Sequence, residues 1–252
     1  MKILLVNDDG INAEGIQVLA RELEKEHDVI IVAPEEQQSA KSHSITITKP
    51  IVVKRVNLKG IKANSYSISG SPADCVRVAF DRLLDEPIDL VISGTNMGGN
   101  LGTDILYSGT VSAAIEANIY NKPSIAVSAE MKDGEGCYEL AAKYTMKILD
   151  KVNHRFMESN TVLNINTPCV DDDNDIKGIK VCRIGGVIYD YYYAEENSEK
   201  EEISLVISGR RKKELAKGTD RYYLSQGYIT ITPLQYDLTN FKLIEEVEDW
   251  LE

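Results

Sequence analysis

The sequence predicts an α/β protein built on a doubly wound, mainly parallel sheet. Apolar segments of strand length alternate with amphipathic segments of helix length through the first half of the chain, as in successive βαβ units. Segments 2–7 and 88–93 are almost continuously apolar, as strands of a parallel sheet must be when helices cover both of its faces. The second half is less regular, and it adds a C-terminal β-rich arm.

The elements of the first half follow from spacing and from capping signals. After the first strand, Ile16, Leu19 and Leu23 recur at helical spacing, which predicts a helix over 13–27. Ser71, Pro72 and Asp74 form a capping box with proline at the first helical position, so a second helix begins there and runs to 84. The remaining predictions are strands at 28–33, 44–48, 51–53, 88–93 and 124–128, a glycine- and asparagine-rich loop at 94–102, and helices at 109–119 and 138–151.

The length of the chain suits a single domain, to which the second half adds an appendage. The patterns there predict a strand at 162–166, an acidic turn at 170–175, tyrosine-rich β structure at 177–208, a strand at 228–233 and an amphipathic helix at 241–250. We divide the single domain, 1–252, into a body (about 1–175), a β-rich arm (about 176–235) and a C-terminal helix (about 236–252). The arm suits either dimerisation or an edge extension of the sheet, and pattern alone favours neither.

Composition limits the partners and the compartment. The formal net charge is −12, so the surface repels nucleic-acid backbones and we expect no polymeric nucleic acid as a partner. No apolar run has the length of a membrane span, and no signal peptide opens the chain, so we expect no membrane association. Four cysteines form no CxxC pair and show no short disulfide framework. We therefore expect a reduced, cytoplasmic protein.

An acidic pair follows the first strand. Asp8 and Asp9 repel each other, so they favour a site for a hard cation such as Mg²⁺ or Mn²⁺, although an aspartate N-cap with a turn glycine is the simpler alternative. Haloacid-dehalogenase phosphatases carry an Asp-x-Asp-Gly motif in which the first aspartate is the nucleophile. Asn7 occupies that position here, which weakens the assignment to that class.

Three further polar segments lie in strand-end or helix-start loops, which converge at one edge of a parallel sheet. Segment 38–44 offers hydroxyls, one cation and one histidine; alone it is equally an ordinary solvated loop. Segment 93–102 has glycines that let backbone N–H groups approach an anion, and it could equally be a plain turn. Segment 107–114 begins a helix whose N-terminus suits phosphate, or it is simply capped by serine. The candidate residues are Ser39, Asn96, Asn100, Ser108, Gly109 and Thr110.

Taken in order, these motifs carry a family resemblance. They are Asn-Asp-Asp-Gly at 7–10, Ser39 with Ser42-His43-Ser44, and the stretches 70–76, 93–96, 107–111, 163–168 and 219–234. The ordered set resembles the stationary-phase survival protein SurE family of metal-dependent nucleoside-monophosphate phosphatases. The resemblance implies a Rossmann-like body and an arm exchanged between subunits, which gives a homodimer or homotetramer.

The resemblance also implies a site. One divalent metal ion per subunit, Mg²⁺ or Mn²⁺, is held at Asp8, Asp9, Ser39 and Asn96. Phosphate of nucleoside 5′- or 3′-monophosphates is bound by Asn96, Asn100, Ser108, Gly109 and Thr110. Asp8 or Asp9 is the catalytic base, and a phosphoaspartate route is a second possibility. The alternative function is a non-catalytic nucleotide-binding regulator. Two positions depart from the family pattern: Ala40 replaces a glycine, and Arg183 to Gly186 replace an arginine-rich start of the arm.

Overall fold

A computed structural model describes residues 1–152, 154–187, 189–199, 202–211 and 214–251. Its strands are β1 (Lys2–Val6), β2 (Asp28–Pro34), β3 (Val53–Val56), β4 (Asn64–Ile68), β5 (Leu90–Met97), β6 (Ser124–Ala129), β7 (Met131–Lys132), β8 (Glu135–Gly136), β9 (Val162–Thr167), β10 (Ile179–Val181), β11 (Tyr189–Glu199), β12 (Glu202–Arg211) and β13 (Ile229–Leu234). Its α-helices are α1 (Glu14–Leu23), α2 (Pro72–Val78), α3 (Gly109–Ile119), α4 (Tyr138–Leu149), α5 (His154–Met157), α6 (Asp220–Ser225) and α7 (Ile244–Asp249). Ala79–Leu83 continues α2 as a π-helix, and Gly102–Leu106, Asp173–Asp175 and Phe241–Leu243 are 3₁₀ turns.

The central sheet has the order β10-β13-β9-β6-β5-β1-β2-β4-β3. Neighbouring strands run parallel except β13 with β9 and β3 with β4. The chain winds outward from β1 through β2, returns to β5 on the other side of β1, and winds outward again. This confirms the doubly wound prediction, and it places the switch point between β1 and β5, where open α/β sheets bind ligands.

Alternate residues of β1 supply the cores on the two faces of the sheet, as the two-residue period of a strand requires. Ile3 and Leu5 belong to the cluster that includes Leu19 of α1, while Leu4 and Val6 belong to the cluster that includes Val76 of α2. Helices α1 and α4 pack together, as do α2 and α3. The buried strand therefore holds its carboxyl end rigidly between two layers of helices.

Three local predictions were wrong. Residues 44–48 form no strand, because side chains at the start of α2 bind that backbone: Asp74 accepts from the Thr46 amide at 3.1 Å, and Ser71 Oγ donates to the Ser44 carbonyl at 2.6 Å. A strand at Asn64–Ile68 was missed, since its buried alternate positions include serine rather than apolar residues. The predicted loop at 94–102 starts later, because β5 continues to Met97 with an irregular register against β6 between Ser93 and Asn96.

The region 176–235 contains an edge extension of the sheet and a separate hairpin. Strands β10 and β13 join the central sheet and extend it, whereas β11 and β12 pair with each other as a separate antiparallel hairpin. Large apolar side chains are exposed on the hairpin, among them Tyr193, Ile203 and Ile207. Helix α7 is exposed along its described length. Within the described residues, no helix has the length and apolar character needed to cross a bilayer.

The expectation that the cysteines are reduced was wrong for one pair. Cys137 and Cys169 form a disulfide with their Cα atoms 5.5 Å apart, while Cys75 and Cys182 are free and buried. The two bonded cysteines are 32 residues apart, a separation that carries no recognisable sequence signature. They meet because Cys137 immediately precedes α4 and Cys169 follows β9.

Candidate active site

The turn after β1 presents the acidic pair. The buried Asn7 closes this turn, since its Nδ2 donates to the Gly10 carbonyl at 2.9 Å and its Oδ1 accepts from the Gly10 amide at 3.2 Å. Gly10 has φ +100°, a conformation that favours glycine. Asn7 therefore closes the turn, and Asp8 and Asp9 lie within it at the switch point.

Asp8 is buried against the N-terminus of α3. Thr110 donates from Oγ1 to Asp8 Oδ1 at 2.5 Å. A Cβ atom on Gly109 would lie only 2.7 Å from Asp8 Cβ, so the close approach of helix and carboxylate requires glycine. Burial raises the pKa of Asp8 to about 6, although the Thr110 hydroxyl bond partly offsets this.

Asp9 is half-buried, on the other side of the turn. Its Oδ2 accepts from the Met97 amide at 3.1 Å, and its Oδ1 accepts from Gln37 Nε2 at 3.3 Å. Burial raises its pKa, and the two hydrogen bonds lower it by less. Tyr138 lies nearby, and burial, with the charges of Asp9 and Glu14, raises its pKa to about 12. Nothing in the sequence pattern marked Gln37, Tyr138 or the Met97 amide.

The loop after β2 lies against both the acidic turn and the start of α3. The Gln38 amide donates to the Asp8 carbonyl at 2.7 Å, and the Ser42 amide donates to the Tyr107 carbonyl at 3.1 Å. Ser39, between them in sequence, is exposed. Ala40 has φ +58°, a left-handed conformation that favours glycine. The structure thus brings the segments around Asp8, Ser39 and Thr110 to one place.

The two candidate asparagines have different surroundings. Asn96 is half-exposed at the end of β5, beside the Met97 amide that binds Asp9, and its Nδ2 donates to the Gly98 carbonyl at 2.7 Å. Asn100 is buried, and its Nδ2 donates to Ser128 Oγ at 2.8 Å. Its backbone binds the Asn164 and Asn166 side chains. Asn100 therefore holds the loop to β6 and β9.

Ser108 caps α3. Its Oγ accepts from the Val111 amide at 3.1 Å, and its carbonyl accepts from Ser112 Oγ at 2.6 Å. This hydroxyl is engaged in capping, while Gly109 and Thr110 are the residues of the helix start that meet Asp8. The partial positive charge of the helix N-terminus therefore faces the acidic pair.

The chemistry of the donor set fits a hard divalent cation. Within the described part of the chain, neither Asp8 nor Asp9 forms an ion pair with a lysine, arginine or histidine. Two adjacent carboxylates with raised pKa values and no cationic side chain favour binding of a metal ion, whose charge offsets the cost of burial. The described residues contain no group of three or more His, Cys, Asp or Glu side chains that could hold a metal ion, so the further ligands of such an ion would be neutral oxygens, for example those of Ser39 and Asn96.

A cavity of about 910 Å³ adjoins this site. Its lining includes the loop at 41–44 and Val111 and Ser112 from the first turns of α3. It also includes residues 233–238, which comprise the end of β13 and the segment that follows it. Most of its walls are apolar, including Ile105, Ile115 and Leu234. It can therefore take an organic group next to an anion bound at the start of α3.

Fold and site together define an α/β enzyme that works at the carboxyl edge of a parallel sheet. The family described as "Survival protein SurE" matches residues 3–190. Relatives named "5'-nucleotidase SurE" are 52% identical in Clostridium tetani, over 99% of this chain and 100% of the relative, and 53% identical in Clostridium botulinum, over 98% of each. The crystal structure of the Sure protein from Aquifex aeolicus superposes with a TM-score of 0.86 at 35% identity, over the whole of both chains. This chain belongs to the SurE family.

Proposed function

We propose that this protein hydrolyses nucleoside 5′-monophosphates to nucleoside and phosphate with the help of one divalent metal ion. The names of its full-length relatives support a phosphoric monoester hydrolase of the nucleotidase class. One structural observation carries the proposal: Asp8 and Asp9 lie together at the switch point, and Asp8 meets the start of α3. A cation beside a helix N-terminus provides two sources of positive charge for a phosphate.

The residues that would hold Mg²⁺ or Mn²⁺ are Asp8, Asp9, Ser39 and Asn96. When bound, the ion polarises the phosphoryl group and lowers the pKa of water at the site. Asp9 is the more accessible carboxylate, and it takes the proton from the attacking water. Asp8, held by Thr110, stays fixed as an anion.

The phosphate binds at Asn96 and at the helix start formed by Gly109 and Thr110. These groups stabilise the charge that develops on the equatorial oxygens as the ester bond breaks. Ser108 and Asn100 contribute indirectly, by capping α3 and by fixing the loop after β5. We therefore assign Ser108 and Asn100 to holding the phosphate-binding segments in place, where the sequence alone had suggested direct contact with the phosphate.

The nucleoside occupies the 910 Å³ cavity. Its apolar walls suit a base, and we include nucleoside 3′-monophosphates among the proposed substrates. We further propose a homodimer or homotetramer. The exposed apolar side chains of the β11–β12 hairpin and of the segment with Phe241 and Trp250 support this assembly, because contiguous exposed apolar surface marks interfaces.

Phosphate release from AMP and GMP, measured with Mn²⁺ or Mg²⁺ and with a chelator, tests the function. We expect metal-dependent release by the wild type, and loss of most of it in Asp9→Asn with the fold retained. Nucleotide binding without release would instead support the regulator function. Turnover by Asp9→Asn at the wild-type rate with the same metal would refute the site.

Hydrolysis of a substrate whose phosphorus is chiral through oxygen isotopes tests direct attack by water. We expect inversion at phosphorus, as a single in-line displacement requires. Net retention would show two displacements and therefore the phosphoaspartate route. Light scattering of the wild type and of a chain lacking the hairpin residues tests the assembly, and an unchanged number of subunits would refute the role of the arm.

A further inference from the structure

A buried carboxylate in α3 binds an arginine and a histidine from different parts of the chain. Only 3% of the Glu116 side chain is exposed. Its Oε1 accepts from Arg77 Nη1 of α2 at 3.0 Å, and its Oε2 lies 2.6 Å from His43 Nε2, which donates because a carboxylate can only accept. Burial of this acid is costly unless both oxygens are paired, so the network restricts where His43 can lie.

His43 belongs to the loop that carries Ser39. This loop has no strand or helix of its own between β2 and β3, and its side chains are largely exposed. Contacts with other elements hold its course: its backbone binds Asp8 and Tyr107 near the acidic pair, and binds Ser71 and Asp74 at the start of α2. The His43–Glu116 bond lies between these two groups of contacts.

The same helix positions both halves of the site. Thr110, at the start of α3, holds Asp8, and Glu116 lies six residues further along that helix, about 9 Å at 1.5 Å per residue. Through Glu116, α3 holds His43 as well. The acidic pair and the Ser39 loop are therefore both fixed relative to one rigid element.

We infer that His43 and Glu116 are positioning residues that hold the Ser39 loop against the acidic pair. The inference rests on the proposed function for its catalytic consequence. Its structural part, ordering of the loop by the bond from His43 Nε2 to Glu116, stands without it. His43 itself lines the cavity together with Ser42 and Ser44.

The test compares His43→Ala with His43→Gln. Alanine removes the hydrogen-bond donor to Glu116. Glutamine places an amide nitrogen near the position of Nε2, so a donor to Glu116 is kept. Because His43 lies in a surface loop, both variants should fold, and thermal unfolding verifies this. In His43→Ala we expect Mn²⁺ binding, measured directly by calorimetry, to weaken by about tenfold or more, as loss of a supporting contact typically does. His43→Gln should restore binding to within about threefold of the wild type.

Hydrogen exchange of the metal-free protein gives a readout independent of activity. The amides of Ser42 and Thr46 donate to Tyr107 and Asp74, so we expect them to exchange at least about tenfold faster in His43→Ala and at the wild-type rate in His43→Gln. With AMP, the KM of His43→Ala should rise more than its kcat falls at saturating Mn²⁺.

Unchanged exchange and unchanged Mn²⁺ affinity in His43→Ala would overturn the inference, as would a glutamine variant that behaves like alanine. Failure of the proposed function looks different. In that case the wild type releases no phosphate, while the exchange experiment still reports on the loop.

Discussion

Thr110 Oγ1 donates to Asp8 Oδ1 at 2.5 Å, across 102 residues of sequence. This bond joins the first turn of α3 to the turn after β1, and it fixes one oxygen of a buried carboxylate. The orientation of Asp8 therefore depends on a helix start encoded far along the chain.

Thr110→Val should lower kcat/KM for AMP by about 10- to 100-fold, because support of this kind is typically worth that much to a metal ligand. Thr110→Ser keeps the hydroxyl and should remain within about threefold of the wild type. Steady-state kinetics with saturating Mn²⁺ provides the measurement. Equal kcat/KM values for the Thr110→Val and Thr110→Ser variants would show that the bond to Asp8 has no part in activity.

Asp8→Asn should inactivate the enzyme and yet stabilise the metal-free protein. Burial raises the pKa of Asp8 from 3.8 to about 6, so ionised Asp8 destabilises the fold above pH 6, by roughly 2–3 kcal/mol at most. The gain in the free energy of unfolding should be full above pH 6 and disappear as the pH falls toward 3.8. Urea unfolding with chelator across this range measures it, and a loss of stability at pH 8 would contradict it.

Gly109→Ala should abolish most activity. The new Cβ would lie 2.7 Å from Asp8 Cβ and 3.0 Å from Asp8 Oδ2, so either the carboxylate or the helix start must move, and a displacement of about 1 Å can cost about 100-fold in rate. Gly186→Ala is the matched control, because a Cβ there meets no atom within 4 Å. Comparable kcat values for the two variants would mean that Asp8 tolerates the displacement.

Glu116→Gln should destabilise the protein near neutral pH. Burial alone would raise the pKa of Glu116, but its bonds to His43 and Arg77 outweigh burial and lower it. Its stabilising effect is therefore complete above its ordinary pKa of 4.5 and is lost as the pH falls through the lower value of the folded state. Because His43 and Arg77 are partly exposed, we expect a difference of about 1–2 kcal/mol at pH 7. Urea midpoints that differ equally at pH 7 and at acid pH would refute the assignment.

Ala40→Gly should stabilise the Ser39 loop. Ala40 has φ +58°, and an L-residue in this conformation costs about 1 kcal/mol or slightly more relative to glycine. The control is Ala216→Gly, at an exposed loop position whose φ is not positive, where glycine brings only an entropic cost. Thermal unfolding should show a higher Tm for the first variant and a lower or equal Tm for the second; the reverse order would contradict the strain.

The parallel strands were predictable because burial on both faces demands a continuous apolar run, as in β1, and this is a property of the local sequence. The helix beginning at Pro72 was predictable for a similar reason, since its capping box is formed by neighbours in sequence. Strand β4 was not predictable from the sequence, because Ser65 and Ser67 are buried by tertiary packing that no local apolar pattern reports. The pairing of Cys137 with Cys169 depended likewise on where α4 and β9 meet.

By itself, the sequence determined that two acids follow a buried strand, that hydroxyls and glycines begin a later helix, and that the ordered motifs resemble the SurE family. Only the tertiary structure decided which of these groups touch. It joined Thr110 to Asp8 and His43 to Glu116, and it paired Ser108 with Val111 and Asn100 with Ser128. The physical reason is distance along the chain: strand and helix starts are set by neighbouring residues, whereas a bond across 102 residues exists only once the sheet has brought the end of β1 against α3.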